Sequence, residues 1–165
     1  MKRFIYLLIV VSTFSCREFN IDEDTSINKS DVPVEKSLIS DDFDFLPTST
    51  TKEVYNRNTY VFSYSEEHEQ SEWVAYYLNK DDVKATNFDR PFFEQDPLVE
   101  SVSADWRNYK NSGYDKGHLC PAGDRKGSFD EYNETFFTSN ISPQEHDFNS
   151  GVWNRLEEKV RYWAV

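Results

Sequence analysis

Aromatic and β-branched residues alternate with polar ones across residues 58–65, NTYVFSYS, and that period of two predicts a strand. The polar stretch 66–72, EEHEQSE, reads as a turn, with His68 a solvated loop histidine, and WVAYYL at 73–78 as the second strand of a hairpin. NKDDV at 79–83 fits one short helical turn. Residues 88–114 then carry two prolines, many aromatics and no regular period, the pattern of a long loop folded over a site. ETFFTSNISPQ at 134–144 contains a short apolar strand ending near Asn140, where Asn140, Ser142 and Pro143 stop it. After it the period lengthens. Val152, Leu156 and Val160 recur at i, i+4 and i+8 with Trp153 and Trp163 beside them, which predicts an amphipathic helix opening at Asn149–Ser150.

The N-terminus follows other rules. A basic MKR precedes an unbroken apolar run at 4–11, too short to span a bilayer and the size of a signal-peptide core. Residues 1–16 therefore read as an export signal. Its end, STFSC, resembles a bacterial lipoprotein signal in which Cys16 is lipidated, although Thr13 stands where leucine is usual. Plain secretory cleavage is the competing reading, and the expected location is the cell envelope, lipid-anchored, periplasmic or extracellular. Cys120 is the other cysteine, and a Cys16–Cys120 disulfide is the alternative to lipidation. Residues 17–50 hold nine acids, three bases and much Ser and Thr without periodicity, the composition of a disordered tether, so the folded domain is expected over 51–165.

Composition allows a core: 38% of the 165 residues are hydrophobic and 16% aromatic. Thirty acids against 18 bases give a formal charge of −12, which excludes a surface that grips polyanions by charge alone. Nucleic-acid chemistry on such a chain requires a bound cation or a local basic pocket.

The residues for such a pocket begin in YDKGHLCPAGDR at 114–125. An unperturbed imidazole titrates near 6.5, so His118 is a base available at neutral pH, with Asp115 or a backbone carbonyl to fix its tautomer. A strand at 115–118, a second strand near Asn140 and a helix opening at Asn149 form a ββα order that can set an imidazole against an amide oxygen. That oxygen suits a hard cation such as magnesium, which keeps several waters. Glu157 lies eight residues on, roughly 12 Å along a helix and on the same side, so it can meet such an ion only through water. A zinc site at His118 and Cys120 lacks the four spaced ligands it needs, and a packed, inert thiol is the expectation for Cys120.

Together YDKGHLCPAGDR, SNISPQ and FNSGVWNRLEE resemble the DNA/RNA non-specific endonucleases of the ββα-metal class, the endonuclease G-like family. Their signature runs D-R-G-H, then S-N-[IM]-x-P-Q, then Asn and W-x-x-L-E. The resemblance implies an α+β fold with a central antiparallel sheet, and hydrolysis of DNA and/or RNA. It implies His118 as general base and Asn149 as direct ligand of magnesium, with manganese as the alternative. Asn140 is implied near the site, Glu157 acts through water, and Arg90 contacts phosphate. Lys116 stands where arginine is usual and keeps the charge without the bidentate fork. Members of the family continue past the W-x-x-L-E helix into further strands, so the expected domain is the leading part of such a fold. Two readings follow: an exported, membrane-anchored nuclease, or an inactive remnant of one that persists as a lipoprotein. A surface binding module, suggested by abundant Tyr and Trp, is a third. A homodimer is among the oligomeric states left open.

Overall fold

The computed structural model describes residues 45–57 and 59–165; the expected signal with Cys16, and most of the expected tether, lie outside the described residues. The fold is α+β, and its strands pair in two antiparallel sheets. The first sheet orders β1 (Val54–Asn56), β2 (Val61–Ser65) and β3 (Gln70–Ala75). β2 and β3 make the expected hairpin, but β3 starts three residues earlier than its apolar run, inside the stretch read as a turn. Tertiary partners extend it. Ser71 Oγ donates to the Ser139 carbonyl at 2.6 Å, and Gln70 Nε2 donates to the Tyr109 hydroxyl at 2.9 Å, so polar residues enter the sheet with their groups satisfied. The chain at 79–82 forms a turn rather than a helix, held by Asn79 and Asp82 bonding each other's backbone and side chain.

β2 is buried along both faces, not one. Tyr60, Phe62 and Tyr64 enter the main core with Val74, Tyr76, Leu119, Cys120 and Val160. Val61 faces the other way, against Trp73 and Ala75, and Phe45 and Leu46 cover that side. Residues 45–50, assigned to the tether by composition, thus belong to the folded unit. Trp73 Nε1 donates to the Thr48 carbonyl at 3.3 Å, and Phe45 meets the Tyr77 ring edge-on at 4.7 Å. Two apolar side chains in an acidic run suffice, because the sheet offers an apolar face that would otherwise meet water.

The second sheet pairs β4 (Asp115–His118) with β5 (Ile141–Gln144), matching Asp115 to Gln144, Lys116 to Pro143, Gly117 to Ser142 and His118 to Ile141. Between them lies a helix absent from the periodicity reading, α1 (Phe129–Glu134), opened by a capping box of Ser128 and Glu131. Asn140 does not end a strand as expected; it closes a 3-10 turn over Thr138–Asn140, and β5 begins after it. Its carboxamide is fully buried and fully used. Oδ1 accepts from the Cys120 amide at 2.8 Å, and Nδ2 donates to the carbonyls of Cys120 and Thr135, each at 2.9 Å.

A wide π-type turn over Phe148–Trp153 leads into α2 (Asn154–Ala164). The buried row of this helix keeps Val160 of the predicted stripe, but its first two positions are displaced by one residue, to Trp153 and Glu157. Trp153 and Val160 are buried with Glu157 and Ala164 partly so, whereas Val152 is 53% and Leu156 37% exposed. The π turn spends an extra residue per turn, so a row counted from inside it at α-helical spacing points to the wrong face. Loop residues 88–114 are anchored from below by Asp96, which is wholly buried and paired with Arg57, and which also accepts from Ser139. Arg57 in turn lies 4.1 Å over the Phe137 ring.

Asn140→Ala should cost on the order of 3 kcal/mol, because it strands three buried backbone groups. Ser128→Ala, which removes one exposed cap, should cost about 1 kcal/mol. Urea denaturation of both variants beside the wild type checks the ranking, and equal losses would contradict the clip assigned to Asn140.

Candidate active site

β4, α1 and the start of α2 enclose a cleft of about 450 Å³ lined by Arg90, Lys116, His118, Tyr132, Phe136, Asn149 and Glu157, among others. Of the residues singled out in the sequence, five therefore meet here: Arg90, Lys116, His118, Asn149 and Glu157. Asp115 reaches the site through Asn149. Asn140 does not line the cleft; it holds Leu119 and Cys120, the two residues after His118, through its backbone carbonyl and its amide.

His118 stands at the end of β4 with its ring between two phenylalanines, edge-on to Phe136 at 5.0 Å and 5.7 Å from Phe93. Its Nε2 is buried and has no hydrogen-bond partner among the described residues. Burial, helped by the Arg90 charge, holds the imidazole neutral down to about 3. The expected Asp115–His118 contact is not formed, because Asp115 lies three residues earlier on the strand and faces the helix. Its Oδ2 accepts from Asn149 Nδ2 at 3.0 Å and contacts His146 Nδ1 at 2.9 Å. The bond to Asn149 first, and that to His146 second, hold the Asp115 carboxyl below its ordinary range.

Gly117 is needed between these faces. A Cβ there would fall 2.1 Å from Gln144 Oε1, so the Gln144 side chain packs directly over the strand backbone. Gln144 Oε1 is itself buried without a partner. Gln144 lies within the SNISPQ motif but carries no role by sequence pattern alone; it pairs with Asp115 and packs over Gly117 of the same strand.

Asn149 sits in the π turn, its amide bonded to the Glu145 carbonyl at 2.8 Å. Because Nδ2 is committed to Asp115, Oδ1 is the atom turned away from the carboxylate. Glu157 lies two turns on, and burial pushes its carboxyl up to about 7 despite Arg161 at 3.8 Å. Arg161 is held chiefly by Asp124, at 2.7 Å, and Asp124 also accepts from the Tyr76 hydroxyl at 2.8 Å. The Asp124–Arg125 pair that ends the YDKGHLCPAGDR stretch is thus structural: Asp124 anchors α2, and buried Arg125 donates to the carbonyls of Thr59, Tyr77 and Asp124. Cys120 is wholly buried, and burial pushes its thiol up to about 12, which leaves it inert.

Cations gather at one side. The Arg90 guanidinium lies 5.5 Å from the Phe136 ring and 5.7 Å from Phe93, and Lys116 Nζ is 5.0 Å from Phe93. Both are thus held beside the neutral imidazole, which makes a local basic pocket on an acidic protein.

The chain was compared with known proteins. It is 40% identical over 118 residues to the mitochondrial nuclease EXOG of Danio rerio, covering 70% of this chain and 34% of that protein. It is 34% identical over 109 residues to the mitochondrial nuclease of Saccharomyces cerevisiae, covering 64% of this chain and 33% of that one. The chain thus spans about a third of the length of these relatives. A solved structure of the EndoG/EndoGI complex superposes with a TM-score of 0.63 at 33% identity, over 67% of this chain and 47% of that one. The model of the DNA/RNA non-specific endonucleases matches residues 44–165, most of the chain and all of the cleft described above, and the chain belongs to that family.

Proposed function

We propose that this protein hydrolyses phosphodiester bonds of DNA and/or RNA, with His118 as general base and Asn149 as the protein ligand of a magnesium ion, or of manganese in its place. The observation that carries the reading is the cleft itself. It gathers an imidazole, an amide oxygen, a carboxyl and two cations, from segments far apart in sequence.

The donor set fits a hydrated hard cation. Among the described residues no three His, Cys, Asp or Glu side chains lie close enough to cage a metal. Asn149 offers one neutral oxygen, and Glu157 stands in the same cleft for contact through a hydration shell. A bound magnesium supplies positive charge to the phosphoryl and leaving oxygens. Asp115 holds the amide by Nδ2 and so presents Oδ1 for the ion. Arg90 and Lys116 receive the phosphate. Its negative charge offsets the Arg90 field at His118, raising the basicity of the imidazole as substrate binds, and the imidazole takes the proton of the attacking water. The export signal and lipidation of Cys16 are proposed from sequence pattern and place this chemistry in the cell envelope.

Plasmid DNA mixed with the protein and magnesium should be nicked, and chelator should abolish nicking. His118→Ala should lower the rate about 10²–10⁴-fold. Undiminished nicking by that variant would remove His118 from its role. Asn149→Ala should raise the magnesium concentration needed for half-maximal rate, and an unchanged requirement would point to another ligand.

Stability carries a second signature. In the unfolded chain the imidazole titrates near 6.5, but in the fold it stays neutral to about 3. Between these values the unfolded chain binds the extra proton, so this contribution is complete above 6.5 and is lost as pH falls toward 3. Urea midpoints of the metal-free protein should therefore drop on acidification more steeply for the wild type than for His118→Gln. Parallel slopes would show that the ring is not enclosed in solution.

A further inference from the structure

A second cleft, of about 600 Å³, opens on the other side of Lys116, lined by Tyr109, Tyr114, His68, Glu69, Asn108 and Pro143, among others. It is separate from the catalytic cleft but shares a wall with it. Pro143, which lines the second cleft, is the strand partner of Lys116, which lines the first. Phe93 lies beneath both: it carries Lys116 on its face and packs with Ala104, Tyr109 and Ile141. From Tyr114 to His118 is four residues of extended chain, about 13 Å, within reach of a nucleotide next to the one being cut.

The chemistry of this cleft selects its occupant. Among the described lining residues none is Lys or Arg, and the Glu69 carboxylate stands among them, so a phosphate is disfavoured. The floor is fixed: the Tyr109 hydroxyl donates to the Ile141 carbonyl at 3.1 Å and accepts from Gln70 at 2.9 Å. At the rim Tyr114 is 51% exposed, on a loop turned by Gly113 at φ +86. An exposed aromatic ring at the rim, an aromatic floor, and imidazole, amide and carboxylate groups around them suit a flat uncharged ring with polar edges.

We propose that this cleft receives the nucleobase of a nucleotide flanking the scissile phosphate, stacked on Tyr114. The inference rests on the nuclease reading above. The backbone phosphate stays with Arg90 and Lys116, and the strand crosses the Lys116–Pro143 pair to deliver its next base. Tyr114 is then a specificity-determining residue for strands with unpaired bases, since a base held in a duplex cannot leave its stack without cost.

The test uses the full chain. Fluorescence anisotropy with a short labelled single-stranded DNA, in EDTA so that no cleavage occurs, should show Tyr114→Ala binding about 5–150-fold more weakly and Tyr114→Phe close to wild type. With magnesium, Tyr114→Ala should raise KM for the same oligonucleotide while kcat holds within about two-fold, and should leave hydrolysis of bis(p-nitrophenyl) phosphate, which has no base, unchanged. Equal binding by wild type and Tyr114→Ala would overturn the proposal, as would equal loss on both substrates, which marks Tyr114 as merely structural. A wild-type protein that cleaves neither substrate would sink the nuclease reading alone, and the anisotropy measurement would still decide the cleft.

Discussion

The buried carboxamide of Asn140 is the constraint on which the site depends. One side chain ties the exit of β4 at Cys120 to the end of α1 at Thr135, while its own carbonyl accepts from Leu119. His118 is the residue immediately before this clip. Its ring is therefore placed by backbone bonds on its C-terminal side and by pairing with Ile141 across the sheet. A base must be positioned to a fraction of an ångström to take a proton in the transition state. A fully satisfied buried amide gives that rigidity without introducing a charge beside the imidazole.

A second joint couples strand to helix. Asp115 and His118 share β4, yet Asp115 serves the helix by receiving Asn149, and His118 serves the cleft. Asn149 Oδ1, the ligand proposed for the ion, is thus oriented from the same strand that carries His118, the proposed base. Farther along α2, Asp124 takes most of the Arg161 charge, so Glu157 keeps a carboxyl titrating about neutrality instead of being locked into a short ion pair. These are arrangements of partners rather than of residue types.

Charge is distributed in the same economical way. The protein carries a formal −12, yet Arg90 and Lys116 are gathered on aromatic faces beside His118. Nonspecific attraction to a polyanion is therefore weak, and positive charge is gathered at the cleft. The second cleft, with no Lys or Arg among its described lining residues, is the complement proposed for the uncharged part of a nucleotide.

What the sequence by itself determined was local or carried by ordered motifs: the β2–β3 hairpin, the ββα order, the helix opening near Asn149, and the group of His118, Asn149, Arg90, Lys116 and Glu157 that meets in one cleft. Side-chain period and motif spacing are properties of neighbouring residues, so they are readable in one dimension. The tertiary structure alone decided the rest. It turned Asp115 toward Asn149 rather than His118, and made Asn140 a clip rather than a member of the cleft. It also drew residues 45–50 onto the sheet and moved the first part of the buried row of α2 from Val152 and Leu156 to Trp153 and Glu157. Each of these depends on which polar group finds a buried partner or which apolar face needs cover. Those free energies belong to contacts between segments distant in the chain, and local sequence carries no record of them.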